Sequence, residues 1–245
     1  MLNGVDVKVK LHRSKNPFCL MSSTQVGYKV HVEDASILVR KVKVNPSIAI
    51  AHAKALEHGT AKYPVRRVEV KTLTIPTGNL SFTRESLFNG IQPSRLIVGL
   101  VSTEAFNGSY QLNPFNFHHY ETNFVALHLD GETHPWIQPV FGQDGADDSY
   151  MLVYHTLFTG LNDLFENKGH LINREDFAHG YTLFAFDLSP DLSSNKAHFN
   201  LVRQGNLRLE IKFAQPLPHT VNVIVYAEFE NIIEIDKSRN VLIDY

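Results

Sequence analysis

Thirteen histidines and one cysteine are the side chains best suited to chemistry, and their spacing limits what that chemistry could be. His118-His119 is the densest pair. Adjacent side chains on a strand point to opposite faces, so these two could share an ion only from a loop. A β-barrel metal site would present His at i and i+2 on one strand, and no His-X-His occurs anywhere. His128, Glu132 and His134 flank the turn at Asp130-Gly131 and could converge on a metal; the plainer reading is a hairpin with polar residues beside its turn. Asp144, Asp147 and Asp148 crowd one loop, but the calcium-loop spacing and its closing glutamate are missing. A solvated loop whose last carboxylate caps the next helix is expected there.

Nucleophilic chemistry has less support. Cys19 lies near His12 and His31 in sequence with no signature around it, and reads as a small apolar side chain. There is no Gly-X-Ser-X-Gly elbow and no glycine-rich phosphate loop. Ser193-Ser194-Asn195-Lys196 matches Ser-X-X-Lys only formally, in a polar loop without companion motifs. Phe115, Phe117 and Tyr120 surround the paired histidines and could stack sugars or bases. With no basic stripe beside them they read as loop anchors or subunit contacts. No catalytic residue, cofactor or metal ligand is assigned, and no enzyme is expected.

Composition agrees. Lys+Arg number 23 against 25 Asp+Glu, a formal charge of -2, so no basic field points to nucleic acid as a specific partner. Hydrophobic residues at 43% and charged residues at 20% exclude a wholly disordered chain. Size scaling gives a folded surface of roughly 11,000 Å² from roughly 40,000 Å² for the open chain, enough burial for a full core. The lone cysteine and an N-terminus that alternates apolar and charged residues from the start suggest a reducing compartment and no secretory leader. The apolar stretch Leu96–Val101 is far too short to span a bilayer.

The elements that would position these residues are mostly strands. Val5–Leu11, Leu207–Phe213 and Val221–Ile235 alternate with period two, as half-buried strands do. The last would reach about 50 Å at about 3.3 Å per residue, so a bend or bulge near Asn231 is expected. Ile37–Val44, Leu96–Val101, Phe124–Leu129 and Tyr181–Phe186 are apolar on both faces, and Tyr28–Val32 is a shorter candidate. Val68–Ile75 is a strand whose apolar phase slips between Val70 and Leu73, which predicts a bulge. Two helices interrupt the pattern: Ser47–His58, with Ser47 as N-cap after Pro46 and Gly59 as its end, and Tyr150 to about Phe165, capped by Asp148 or Ser149. Strands with Gly, Pro, Asn and Asp punctuation read as a sandwich or barrel.

A resemblance sharpens this. Phe106-Asn107-Gly108, Asn113-Pro114-Phe115-Asn116-Phe117, Leu157-Phe158-Thr159-Gly160 and Arg174-Glu175-Asp176-Phe177 occur in order. They are followed by Gly180–Leu188, His198-Phe199-Asn200-Leu201-Val202, Val223–Phe229 and Asn240-Val241-Leu242. In this series the chain resembles the C-terminal half of the hexon-like, double jelly-roll major capsid proteins of Polinton/Maverick elements and adintoviruses. More distantly it is similar to the capsid proteins of nucleocytoplasmic large DNA viruses. The resemblance covers nearly the whole chain.

It implies an all-β fold: a jelly-roll sandwich, the second of a double jelly-roll protein, with a short linker helix and one inserted helix. Residues 1–45 would be the C-terminal strands of an incomplete first jelly roll, 46–61 the linker helix, and 62–245 the second jelly-roll domain. The eight strands of that domain would fall near 64–76, 95–103, 122–130, 134–140, 180–188, 197–202, 205–214 and 219–235. Most of the first jelly roll would lie outside this sequence, as in a fragment or truncated gene product. The implied function is a structural subunit of an icosahedral capsid, self-assembling as trimeric pseudo-hexagonal capsomers. Implied partners are copies of itself and penton and minor capsid proteins, with no specific nucleic acid and no membrane span. The implied location is the virion capsid, after synthesis in the host cytoplasm and with the nucleus as a site of assembly. Loops 104–121 and 142–149 would serve contacts or the outer surface. The alternative is a stand-alone β-sandwich binding carbohydrate or protein, such as a host-adopted capsid fragment.

Overall fold

A computed structural model describes residues 4–24, 27–88, 90–141, 149–161, 171–194 and 200–243, with the side chains of 134 and 135 outside that set. Among the described residues there are nine strands: β1 (Ala61–Ile75), β2 (Ser81–Arg84), β3 (Arg95–Ser102), β4 (Thr122–Leu129), β5 (Glu132–Ile137), β6 (Leu183–Asp187), β7 (Leu207–Phe213), β8 (Val221–Ile235) and β9 (Val241–Ile243). The helices among the described residues are α1 (Asn16–Cys19), α2 (Pro46–His58), α3 (Thr103–Asn107), α4 (Met151–Leu161) and α5 (Arg174–Ala178). One sheet runs β1-β8-β3-β6 with β9 beside β8, and the other runs β2-β7-β4-β5. Every pairing between these strands is antiparallel. Eight strands in this interleaved order, four to each facing sheet, make a jelly roll. The chain is an all-β jelly-roll sandwich, and its core lies between the two inward rows.

That core follows from the alternation. Leu207, Leu209, Ile211 and Phe213 are buried on β7, and Val221, Val223, Val225, Ala227 and Phe229 on β8. Val125 and Leu127 of β4 and Leu96, Val98 and Leu100 of β3 complete the contact. β3 and β6 are apolar on both faces for a different reason: their outer face carries a third layer. α4 packs on β6 through Val153, Leu157 and Gly160. A Cβ at Gly160 would lie 3.0 Å from the Ala185 backbone, so the helix rides directly on the strand. Phe117 covers Gly99 of β3 in the same way.

The Asp130-Gly131 turn is a tight hairpin with both residues at positive φ, 51° and 90°. Asp130 also accepts a hydrogen bond from the Asn206 N–H at 2.7 Å. The N-cap of α2 lies two residues earlier than the sequence implies. Asn45, not Ser47, is the N-cap, accepting from the Ser47 N–H at 3.0 Å, with Pro46 at the first helical position where its missing N–H costs nothing.

Several expectations are corrected. Of the strand expected at 197–202, residues 200–202 lack regular structure and 197–199 lie outside the described residues. The fourth place in the second sheet is held by β2, four residues with only Phe82 packed on the core. β1 and β8 pair over fifteen residues with no register shift, so neither expected bulge exists. The phase slip in β1 has another cause. The row of Leu73 and Ile75 continues inward through Lys71, Glu69 and Arg67, while Val68 and Val70 face out, 47% and 57% exposed.

The N-terminal strand patterns stand without a strand partner among the described residues. Among the described residues, Val5–Leu11, Tyr28–Val32 and Ile37–Val44 have no strand pairing, and nearly all are exposed. Three isolated strands without a neighbouring sheet cannot hold themselves together. The chain accordingly exposes 15851 Å², against roughly 11,000 Å² for a compact protein of its mass.

Two substitutions test the packing. Leu209→Ala, in the centre of the core, is expected to cost about 2–5 kcal/mol in urea unfolding. Gly160→Val is expected to cost about 1–3 kcal/mol by forcing α4 off β6, with overpacking outweighing any helix-propensity gain.

Candidate interaction surfaces

The chemically capable residues are drawn apart by the fold. His118 and His119 sit in the β3–β4 loop and face different neighbours. His119 stacks on Phe141, ring centroids 4.2 Å apart, and its Nδ1 accepts from the Glu121 N–H at 3.0 Å. His118 meets the Tyr120 ring edge-on at 5.8 Å. Tyr120 in turn lies 5.4 Å from the ring of His219 in the β7–β8 loop, its hydroxyl 3.2 Å from His219 Nε2. Burial, and then the charge of His219, push the His118 pKa below its ordinary value. Burial raises the Tyr120 hydroxyl to about 12, so it stays protonated.

His128 turns to the outer face of the second sheet. Its Nδ1 lies 3.1 Å from the Thr133 hydroxyl, and its Nε2 lies 3.1 Å from Glu210. Arg208 and Lys212 complete that cluster at 3.2 Å and 3.1 Å from Glu210. Burial works against the Glu210 charge, but the hydrogen bonds from Lys212 and His128 and the charges of Lys212 and Arg208 hold its pKa below the usual value. Glu132 is exposed on β5, and the side chain of His134 lies outside the described residues. Among the described residues no three or more His, Cys, Asp or Glu side chains group as a metal ion would need.

The rest have local roles. Cys19 is exposed, its Sγ 3.7 Å from the Ser14 carbonyl. Ser193 and Ser194 are buried turn residues: the Ser194 hydroxyl donates to Asp187 at 2.9 Å, and the Ser193 N–H to Ser189 at 2.7 Å. Lys196 and the Asp144, Asp147 and Asp148 loop lie outside the described residues. Phe115, Phe117 and Tyr120 form no common platform. Phe115 meets Phe18, Phe117 covers Gly99, and Tyr120 sits between two histidines. A different aromatic series holds the loops down: His119, Phe141, Tyr150, Phe177, Tyr154 and Phe158, in centroid steps of 4.2 to 5.9 Å.

What remains open is surface. β1 is an edge strand, and its outer row with that of β8 presents Val68, Val70, Ile224 and Tyr226. Its inward charges are paired: Arg67 lies 3.0 Å from Glu69 and 4.6 Å over the Phe229 ring. Lys71 lies 3.5 Å from Glu69, donates to the Leu87 carbonyl at 2.8 Å and sits over Phe88. Inward charges on an edge strand discourage indiscriminate pairing. Sequence reasoning missed this device; the slip in phase at Val70 was its signal. A recess of about 210 Å³ lies beyond β3, where β1, β8 and β9 continue as a ribbon. Ile91, Val202, Phe229, Asn231 and Leu242 line it. No helix among the described residues is long and apolar enough to cross a membrane.

No family model matches the chain. It is 31% identical over 252 residues to an uncharacterized protein of Caenorhabditis elegans, F54H12.2, covering the whole of this chain and 59% of that protein. The chain thus spans well under two thirds of this curated relative. Similar solved structures include the cryo-EM structure of the Sputnik virophage, at TM-score 0.43 and 13% identity, covering 76% of this chain and 39% of that one. The crystal structure of PBCV-1 VP54, fitted into a reconstruction of Sputnik, matches at TM-score 0.44 and 10% identity, covering 76% and 52%. The mavirus major capsid protein matches at TM-score 0.38 and 10% identity, covering 76% and 41%.

The histidine cluster generates a pH prediction. Because the His118 pKa is lowered in the fold, its contribution is present above the unfolded value near 6.5 and is lost as pH falls below it. Glu210 acts in a separate window, its contribution fading only as pH falls below the usual carboxylate value. The urea midpoint is therefore expected to decline in two stages, and His118→Gln is expected to flatten the first and leave the second.

Proposed function

We propose that the chain is part of a structural subunit of a viral or virus-like icosahedral capsid, one that self-associates as trimeric pseudo-hexagonal capsomers. The observation that carries this reading is the jelly roll, β1-β8-β3-β6 facing β2-β7-β4-β5, built from the ordered motifs that resemble double jelly-roll capsid proteins. A jelly roll presents a rigid wall of two sheets with loops gathered at its ends, a form suited to side-by-side tiling. Exposed apolar rows support the same reading. Ile37, Leu38, Val39, Val42 and Val44 are 47–97% exposed, and strand-patterned rows of this kind need a neighbouring β-layer. In this proposal residues 1–45 complete an upstream jelly roll, 46–61 link the two, and 62–245 are the second. The subunit's partners are its own copies together with penton and minor capsid proteins, in the virion.

Its mechanism is complementarity of shape and edge, and it assigns no catalytic residue. The rival reading, a stand-alone sandwich that binds carbohydrate or protein, finds its best feature in the recess beside Asn231. At about 210 Å³ that recess is smaller than the roughly 300–1,000 Å³ usual for ligand pockets.

Electron microscopy and analytical ultracentrifugation of the full-length gene product test the proposal. Trimers or closed shells are the expected result. A dispersed monomer at high concentration that binds glycans on an array would overturn it in favour of the rival.

A further inference from the structure

Val5 aside, burial in the described N-terminal region is concentrated in one place. Among the described residues 4–45, those that are half-buried include Asn16, Pro17, Phe18, Leu20, Ser22 and Val30. They gather where α1 meets α3 and the turn after it. Phe18 meets Phe106 edge-on, centroids 6.4 Å apart at 87°, and Phe115 at 5.7 Å and 67°. Gly108 forms the floor between them. Its φ of +103° lies in a region that side chains rarely adopt, and a Cβ there would stand 3.1 Å from Phe18 N and 3.4 Å from Pro17. The missing side chain is thus used twice, once for the turn and once for the approach of the knob.

Two hydrogen bonds fasten the contact on its far side. The Ser22 N–H donates to the Tyr110 carbonyl at 2.7 Å, and the Tyr110 hydroxyl donates to the Tyr28 carbonyl at 3.0 Å. Asn16 Oδ1 draws the knob's flanks together, accepting from Arg13 at 2.6 Å and the Val30 N–H at 3.4 Å. Pro17 limits the freedom the segment must give up on docking. Edge-to-face rings give the contact a preferred orientation as well as area.

We propose that the β3–β4 loop is a receptor for a proline–phenylalanine knob, and that its occupant is the N-terminal region of the same chain. Pro17-Phe18, seated on Phe106, Gly108 and Phe115, is the joint that fixes the segment before α2 onto the end of the sandwich. This gives a physical role to two sequence motifs, Phe106-Asn107-Gly108 and Asn113-Pro114-Phe115, which otherwise stand in the loop without a task. The joint is independent of whether the protein assembles into a shell.

Cys19 supplies the probe, being the only cysteine of the chain, exposed, and adjacent to the knob. The full chain is labelled there with a maleimide fluorophore, and anisotropy is read together with amide exchange at Ser22. Phe18→Ala and Gly108→Val are expected to free the label and speed exchange at Ser22 at least fivefold, with the thermal transition of the sandwich unchanged in Phe18→Ala. Phe18→Tyr, which keeps the ring, is expected to behave as the parent. Unchanged exchange at Ser22 in Phe18→Ala would overturn the proposal. So would energy transfer between donor-labelled and acceptor-labelled copies that Phe18→Ala abolishes, since the knob would then seat on a neighbouring molecule.

Discussion

β8 has to satisfy two neighbours at once, and most of the molecule follows from that requirement. Along one side it pairs with β1 over its full fifteen residues; along the other it pairs with β3 from Val221 to Glu228 and with β9 from Ile233 to Ile235. A strand hydrogen-bonded on both sides cannot shift by one residue without turning its whole buried row to the wrong face. Its register therefore fixes those of β1 and β3, and through β3 that of β6. The opposing sheet is then placed by the row of Val221, Val223, Val225, Ala227 and Phe229 that it must cover.

Such constraints were legible where they are local. Period two along Leu207–Phe213 and Val221–Ile235, and the Asp130-Gly131 turn, depend on neighbours in sequence and are plainly visible there. β2 was not legible, because a four-residue edge strand with one apolar contact, Phe82, carries no periodic signal. Residues 200–202 erred in the other direction, since apolar Leu201 and Val202 are exposed and unpaired. At the N-terminus the patterns of Val5–Leu11 and Ile37–Val44 are real, but alternation records only a capacity to pair. The partner is a matter of what else is present. The helix α4 shows a third case: β3 and β6 are apolar on both faces because a helix and Phe117 lie outside them, which composition alone does not distinguish from a plain two-layer interior.

Side-chain roles were harder to read than elements. The paired histidines suggested a shared site, and the backbone of the loop separates them, one onto Phe141 and the other onto Tyr120. Tyr120 and Glu121 both have positive φ, 45° and 50°, and a turn of that kind has no sequence signal when it contains no glycine or asparagine. The His128 cluster depends on Arg208 and Glu210, some eighty residues away, brought alongside by the β4–β7 register. Gly108 was visible only as a letter in a motif. Its purpose required the position of Phe18, ninety residues upstream in the chain.

The guarded edge of β1 carries a consequence for how copies of this chain behave toward one another. Lys71, Glu69 and Arg67 are tied to one another and to the rings beneath them, and Pro64 interrupts the row of donors further along. A stray extended peptide arriving there finds a broken ladder and a wet, ionic seam, so runaway fibre growth from this border gains nothing. Even when crowded, the molecules can stay discrete along this border.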